Sequence, residues 1–376
     1  MPPGGAGETY AAFASLEPMS SRPSVLVAMS GGVDSSVSAA LLHEQGYHVV
    51  GSHMKLVHLD GVDHGCCGPQ AEADAAAVAD LIGFDFEVAD MSAAFERTVL
   101  DDFFDEHRAG RTPNPCVRCN QFIKFRAFLD RADTMGFDFV ATGHYVRTWR
   151  DRSGSWHLGR GEDRAKDQSY LLHVLGQAQL ARSLFPVGGQ TKAETREHAR
   201  RLGLPVAGKP DSQEVCFVPG ADHGAFLARH APDLARPGEV VDAEGRTVAR
   251  HDGTFRFTIG QRRGLGVSTG RRSYVVDMDP TANRVVVGPA ELLARRGLVA
   301  DQVTWIAGTP PADGPFEAEV RIRYRGEDVA AVVEPLGDRA RVEFRAPQRA
   351  VAPGQSVAFY RDDEVLGGGR ILEAVR

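Results

Sequence analysis

Two stretches of this 376-residue sequence carry side chains whose types and spacing could do chemistry. In "AMSGGVDSS", Ala28 to Ser36, Gly31 and Gly32 let the backbone approach a ligand closely. The helix expected behind them offers unpaired N–H groups to an anion, and Ser30, Ser35 and Ser36 add hydroxyl donors. This is a phosphate cradle, although it lacks the lysine of a Walker A sequence. The plainer reading is a tight strand-to-helix turn capped by serine. The second stretch, "TPNPCVRCN", Thr112 to Asn120, holds Cys116 and Cys119, and Cys216 stands in "KPDSQEVCFVP". The prolines and asparagines around the pair predict a loop near the surface, with both cysteines off any helix interior. A lone C-x-x-C suits a zinc knuckle, but a zinc ribbon needs a second pair, and Cys66 and Cys67 are adjacent and cannot supply one.

The elements that must position these residues alternate. "SVLVAM" reads as a strand ending at the glycines, "SSVSAALLHEQG" as a helix ending on Gly46, and "YHVVGSHMKL" as a second strand. Helices over "PQAEADAAAVADLIG", "AAFERTVLDDFFDEHRAG" and "FIKFRAFLDRADTMG" alternate with strands at "FDFEVAD" and "FDFVATGHY". That order predicts βαβ units, a parallel sheet covered on both faces, and ligands beyond the C-terminal strand ends. After about residue 220 the texture changes. "GEVVDAEGRTVARH" and "RRSYVVDMDPTANRVVVGP" read as hairpins, and from about Leu298 short strands and turns suggest a small β-barrel. The expected organisation is an N-terminal flexible extension (1–22), an α/β domain (23–217), a central domain (218–297) and a β-barrel (298–376).

The length itself argues for two or three domains. No apolar run approaches membrane-spanning length, and the N-terminus lacks the pattern of a signal peptide, so a cytoplasmic chain with no membrane partner is expected. There, cysteines are reduced, metal-binding or catalytic in preference to disulfide-bonded. A net charge of −7 excludes a strongly basic nucleic-acid coat but not a local basic face. Lysine is scarce and arginine abundant, as a GC-rich coding sequence would give. The arginine clusters Arg262/Arg263, Arg271/Arg272 and Arg321/Arg323/Arg325 all lie beyond the α/β domain.

The glycine-rich string resembles the PP-loop of the N-type ATP pyrophosphatases, which cleave ATP between its α and β phosphates and pass AMP to a substrate oxygen. "MSGGVDSSVSAALLHEQGY", "AGRTPNPCVRCNQFIKF", "ATGHYVR", "KDQSYLLHVL", "KPDSQEVCFV", "FTIGQRRGLG", "PGQSVAFY" and "LGGG" follow one another in the order found in the bacterial tRNA-specific 2-thiouridylases, from about Ser24 to the end. The resemblance implies an adenine nucleotide alpha hydrolase-like PP-loop domain, a small central domain and a C-terminal β-barrel. It also implies ATP-dependent sulfur transfer to the wobble uridine of tRNA.

Residue by residue, the resemblance implies that Ala28, Met29, Ser30, Gly31, Gly32, Val33, Asp34 and Ser35 line the ATP phosphates. Asp34 would help organise Mg2+ and pyrophosphate, and Met54 and Gly143 would contact the adenosine. Asn114, Pro115 and Cys116 would meet the target base, while His144, Lys166, Asp167, Gln168, Arg323, Tyr324 and Gln355 would meet tRNA. Cys119 takes the place of the family's loop cysteine and Cys216 that of its persulfide carrier. Cys116 stands where the family usually has aspartate, which removes the carboxylate from any acid/base role there. Two routes stay open: a persulfide on Cys216 resolved by Cys119, or a [4Fe–4S] cluster on Cys116, Cys119 and Cys216. The implied partners are the anticodon arm of Lys, Glu and Gln acceptor tRNAs and a cysteine desulfurase or sulfur-relay protein. An amide- or amidine-forming PP-loop synthetase would not need Cys216, and a non-catalytic RNA-binding sensor would not turn over ATP. Cys66 and Cys67 have no role the sequence can argue.

Overall fold

The computed structural model describes residues 22–57, 68–211, 215–218, 220, 222–267 and 272–376. Cys66, Cys67, Arg271 and the expected extension up to residue 21 lie outside the described residues.

A parallel five-stranded sheet carries the first domain: β1 (Ser24–Ala28), β2 (His48–Lys55), β3 (Asp85–Asp90), β4 (Phe139–Ala141) and β7 (Ser183–Leu184), in the order β3-β2-β1-β4-β7. The chain winds outward from β1 through β2 to β3 and then returns to the other side of β1. The crevice between the C-terminal ends of β1 and β4 is therefore the topological switch point, where such sheets take ligands. Val25, Leu26 and Val27 of β1 are fully buried, as a strand covered on both faces requires.

The helix Val33–Glu44 is buried on nearly every side. Its small residues permit this, because Ser36 and Ser38 donate their hydroxyls to the Gly32 and Asp34 carbonyl oxygens (both 2.9 Å) and so enter the core with partners. The helix Pro69–Ile82 ends on Gly83 in the left-handed conformation (φ 89°), a glycine C-cap.

Around the cysteine pair the sequence expectation is corrected. Residues 115–135 form helix interrupted by one kink, in the segments Pro115–Arg118, Cys119–Ala127 and Phe128–Met135. Asn114 is the N-cap, its side chain accepting from the Val117 N–H at 3.4 Å, and Pro115 occupies the first turn, where its missing N–H costs nothing. Asn-Pro is here a helix start and not a loop. The middle segment is wound as a wider π-type helix and kinks at Phe125 (φ −121°, ψ 16°), an irregularity common at functional sites.

Further strands build two smaller sheets. β8 (Gly238–Val241), β9 (Thr247–His251), β10 (Tyr274–Asp279) and β11 (Arg284–Gly288) make a four-stranded sheet in the order β10-β11-β8-β9. β12 (Ala294–Trp305), β13 (Phe316–Arg321), β14 (Val329–Leu336), β15 (Arg339–Arg349), β16 (Ser356–Arg361) and β17 (Glu364–Val375) close into a six-stranded barrel through the β12–β17 pairing. The hairpin β5 (Val146–Arg150) and β6 (Trp156–Arg160) extends this barrel sheet although it lies early in the chain: Leu158 and Gly159 pair with Val365 and Glu364 of β17. The nucleotide-type domain and the barrel therefore share one sheet. Among the described residues no helix is long and apolar enough to cross a membrane.

Candidate active site

The glycine-rich loop fills the switch-point crevice. Gly31 has φ 66°, and a Cβ there would lie 2.2 Å from the Ala71 carbonyl oxygen, so both conformation and space demand glycine. Gly143 follows β4, and a Cβ on it would come within 2.6 Å of the Ser35 nitrogen. The loop is pinned from β2, where the Met29 N–H donates to Ser52 O (2.9 Å) and His53 Nδ1 lies 3.0 Å from Met29 O. Gly32 caps the following helix and brings no side chain to its first N–H groups, which leaves that turn suited to an anion. Ser30 and Ser35 stand 3.3 Å apart, hydroxyl to hydroxyl.

Beside the loop lies an ion-pair cluster that the sequence reading missed. Lys192 Nζ donates to both carboxylate oxygens of Asp34 (2.6 and 2.8 Å) and also pairs with Asp211 Oδ1 (2.8 Å). Asp211 additionally receives Lys166 (2.8 Å) and Arg196 (2.9 Å). Burial opposes its charge, but the hydrogen bonds from Lys166 and Lys192 pull its carboxyl down to about 2. The Tyr145 hydroxyl donates to Asp34 Oδ1 at 2.8 Å, and burial together with that carboxylate pushes its pKa up, so it stays a neutral donor. Lys209 Nζ donates to Gly31 O (2.8 Å) and pairs with Asp74 (2.6 Å). The lysines absent from the loop itself thus come from later in the chain.

Cys116 is exposed, Cys119 is buried and Cys216 is half-buried. Cys119 and Cys216 belong to one apolar cluster with Phe95, Phe103, Ile123 and Phe217. The rings of Phe95 and Phe103 meet that of Phe217 edge-on at 5.6 and 5.3 Å, which anchors the residue next to Cys216. On the barrel, burial, with the charge of Asp167 and then Cys116 adding, raises the Tyr324 phenol. Among the described residues no three His, Cys, Asp or Glu side chains group as metal ligands. Cys116, Cys119 and Cys216 are not grouped as a ligand set in this arrangement. Mg2+ fits differently, because it is ordinarily held by one or two carboxylates together with substrate phosphates, and Asp34 stands at the loop to provide one.

The remaining sequence-derived residues divide by exposure. Met54 is buried toward the C-terminal end of β2, within the same apolar cluster as Cys119. Arg323 is exposed and donates to Arg349 O (2.8 Å). Gln168 accepts from the Tyr145 N–H (3.0 Å) and bonds Tyr324, so a chain of contacts runs from Asp34 through Tyr145 and Gln168 to the barrel. Gln355 donates to the carbonyls of Thr112 and Pro113 just ahead of Asn114. His144 is buried 2.7 Å from the Thr142 hydroxyl, and burial, with Lys124 adding, holds its pKa well below the usual value. Burial thus favours its neutral form. Asp167 is also buried, bonding Arg321 (3.1 Å), the Ser169 hydroxyl (2.9 Å) and the Gly161 N–H (3.2 Å). Its carboxylate faces the domain junction.

Three family models match successive parts of the chain. They are described as the tRNA methyl transferase HUP domain (residues 23–220), the tRNA methyl transferase PRC-barrel domain (224–289) and the aminomethyltransferase β-barrel domain (295–371). Proteins named tRNA-specific 2-thiouridylase MnmA are similar over nearly the whole length. That of Geobacter metallireducens is 48% identical over 362 residues, covering 94% of this chain and 98% of its own. That of Carboxydothermus hydrogenoformans is 48% identical over 359 residues (93% and 98%), and that of Acidothermus cellulolyticus 48% over 361 (94% and 98%).

Proposed function

The chain belongs to the family of tRNA-specific 2-thiouridylases, and we propose how its residues carry out that family's reaction, the ATP-dependent exchange of oxygen for sulfur at C2 of the wobble uridine. The enzyme is a tRNA-uridine 2-sulfurtransferase. The observation that carries the residue assignment is the pairing of a phosphate cradle at the sheet's switch point with two thiols, Cys119 and Cys216, on one apolar cluster. The HUP-domain description speaks of methyl transfer, which would need neither feature.

The uracil O2 attacks the α-phosphorus of ATP, forming an O–P bond as pyrophosphate leaves. The Val33–Glu44 helix N-terminus and Ser30, Ser35 and Gly31 receive the phosphates, and Gly143 lets the adenosine lie against the loop. Mg2+, contacted by Asp34, would neutralise phosphate charge. A persulfide sulfur carried by Cys216 then attacks C2. The Cys119 thiolate attacks the Cys216 sulfur, the S–S bond of the persulfide breaks, and its terminal sulfur stays on C2 while AMP departs with the former O2. The persulfide sulfur is reduced, the two cysteines are oxidised to a disulfide, and an external thiol restores them. Cys116, exposed on the turn that Asn114 opens, is assigned to the base side of the pocket with Asn114, and not to the resolving pair. Arg323 and Lys166 are assigned to RNA phosphates, with Tyr324 offering a stacking surface to the base.

Lys, Glu and Gln acceptor tRNAs are the proposed substrates, and a cysteine desulfurase or sulfur-relay protein the proposed source of the persulfide. The cytoplasm, with ATP, tRNA and a thiol pool, is the compartment this chemistry needs. The testing experiment incubates the enzyme with ATP, unmodified tRNA and a sulfur source and follows pyrophosphate and AMP. Release dependent on tRNA and matched by 2-thiouridine is expected; tRNA binding with no nucleotide turnover would sink the reading.

A further inference from the structure

We propose that Lys192 is the phosphate-binding cation of the ATP site, anchored by Asp211 and resting on Asp34 until the incoming metal–nucleotide complex takes Asp34 over. The inference rests on the reading that the glycine-rich loop takes ATP.

Composition makes these lysines stand out. The chain has 43 lysines and arginines, of which five are lysine: Lys55, Lys124, Lys166, Lys192 and Lys209. Three of the five converge on the loop and its flank. A coding bias toward arginine accounts for the rest of the chain but not for this concentration. The chemistry does account for it. A lysine ammonium is a compact charge with three donors, able to sit between two carboxylates, whereas the wider planar guanidinium needs a fork-shaped partner.

Geometry singles out Lys192 among the three. It opens the helix Lys192–Arg201, which is capped by the Thr191 side chain. Its Nζ touches Asp34, in the first turn of the loop helix, and its side chain is only 11% exposed. A charge so enclosed is costly unless paired, and Asp34 and Asp211 now provide two partners. When Asp34 turns to a metal ion, Lys192 keeps Asp211 and lacks a second anion at the place where the phosphates lie. Asp211 remains committed through Lys166 and Arg196. Lys209 differs: it holds Gly31 O and Asp74, and so braces the loop.

The test is calorimetric titration of Mg·ATP and of Mg·pyrophosphate into wild type, K192A, K192R and D211N without tRNA, with tRNA affinity and thermal melts measured separately. K192A should bind both ligands about 10- to 100-fold more weakly, the loss of one charge-assisted contact. Its tRNA affinity should be unchanged while its melting temperature falls, because Asp34 and Asp211 lose the cation between them; K192R, which keeps a cation there, separates the two effects by melting near wild type while still binding nucleotide weakly, a pattern a merely structural role would not give. K192R should stay weak despite keeping the charge, and D211N should fall between K192A and wild type. Wild-type affinity for ATP and pyrophosphate in K192A would overturn the proposal, and if K192A does not fold, wild-type affinity in the nearly isosteric, uncharged K192Q, titrated in the same way, would do so. The titration contains no tRNA, so its result is independent of whether the acceptor is a tRNA uridine, which the AMP-release assay decides.

Discussion

Gln355, on the barrel, donates its side-chain amide to the Thr112 carbonyl oxygen at 2.9 Å, two residues before Asn114 opens the cysteine-bearing helix. The same barrel turn accepts the Thr112 N–H through Pro353 O (2.8 Å), and Gly354, at φ 90°, leaves no room for a Cβ, which would lie 2.8 Å from Thr112 N. The barrel thus fixes the start of the target-base segment. Gln355→Ala should slow thiolation about 5-fold, one neutral hydrogen bond's worth, and leave Mg·ATP affinity alone. Gly354→Val should do more. Single-turnover rates beside ATP titrations check this, and an equal loss in ATP affinity would contradict it.

Asp167 should act through stability. Its carboxylate is 2% exposed and faces Arg321 (3.1 Å) and Arg160 (3.8 Å), while Arg160 lies over the Tyr360 ring at 3.8 Å. Asp167→Ala leaves two buried guanidiniums with Asp328 as their remaining carboxylate and should cost about 3 kcal/mol in urea unfolding. Unchanged stability with lost tRNA affinity would mean that Asp167 reads RNA directly.

Gly143→Ala probes the adenosine side of the crevice. The added methyl meets the Ser35 N and Asp34 C atoms at 2.6 and 2.7 Å, both backbone atoms of the loop helix that cannot swing aside. Mg·ATP should bind about 10-fold or more weakly, and because the clash is with the protein's own backbone the melting temperature should fall as well. Unaltered ATP binding would show that the loop and β4 are not in register around the nucleotide.

The joint between the first domain and the barrel should respond to pH through His157. Burial works against its charge, but hydrogen bonds with Glu364 (2.6 Å) and Asp151 (3.1 Å) outweigh it and raise its pKa above 6.5. A raised folded-state pKa gives stabilisation that is complete below the unfolded value and lost as pH rises through the folded one. Melting temperatures of wild type should therefore drop relative to His157→Gln on going from pH 6 to pH 9. Parallel curves would contradict the assignment.

The sheet, its helices and the barrel were legible because β-rich runs, helical spacing and glycine stops recur along the chain, and the tight turn at Gly31 was legible from its glycine pair. The start of the helix at Asn114 was not, because Asn-Pro serves turns and helix N-caps alike and only the following residues' burial decides. The β5–β6 hairpin was missed since its partner, β17, lies some two hundred residues away. Lys192, Lys209 and Asp211 were missed for a similar reason: charge pairs formed across the sheet leave no periodicity. The scarcity of lysine was the one signal present. Asp167 and His144 show the converse limit, because polar residues in a recognisable string can still turn inward.

The central claim is that Cys216 carries the sulfur and Cys119 releases it. The most direct measurement is a single turnover: load the enzyme with labelled persulfide, remove the donor, add ATP and unmodified tRNA, and quantify labelled 2-thiouridine and the protein disulfide by mass spectrometry, with the iron content of the same anaerobic preparation. The account predicts one labelled thiouridine per Cys119–Cys216 disulfide, no product from C119S or C216S, and substantial product from C116S. Label transfer that needs Cys116 equally and tracks bound iron, with no disulfide formed, would contradict it.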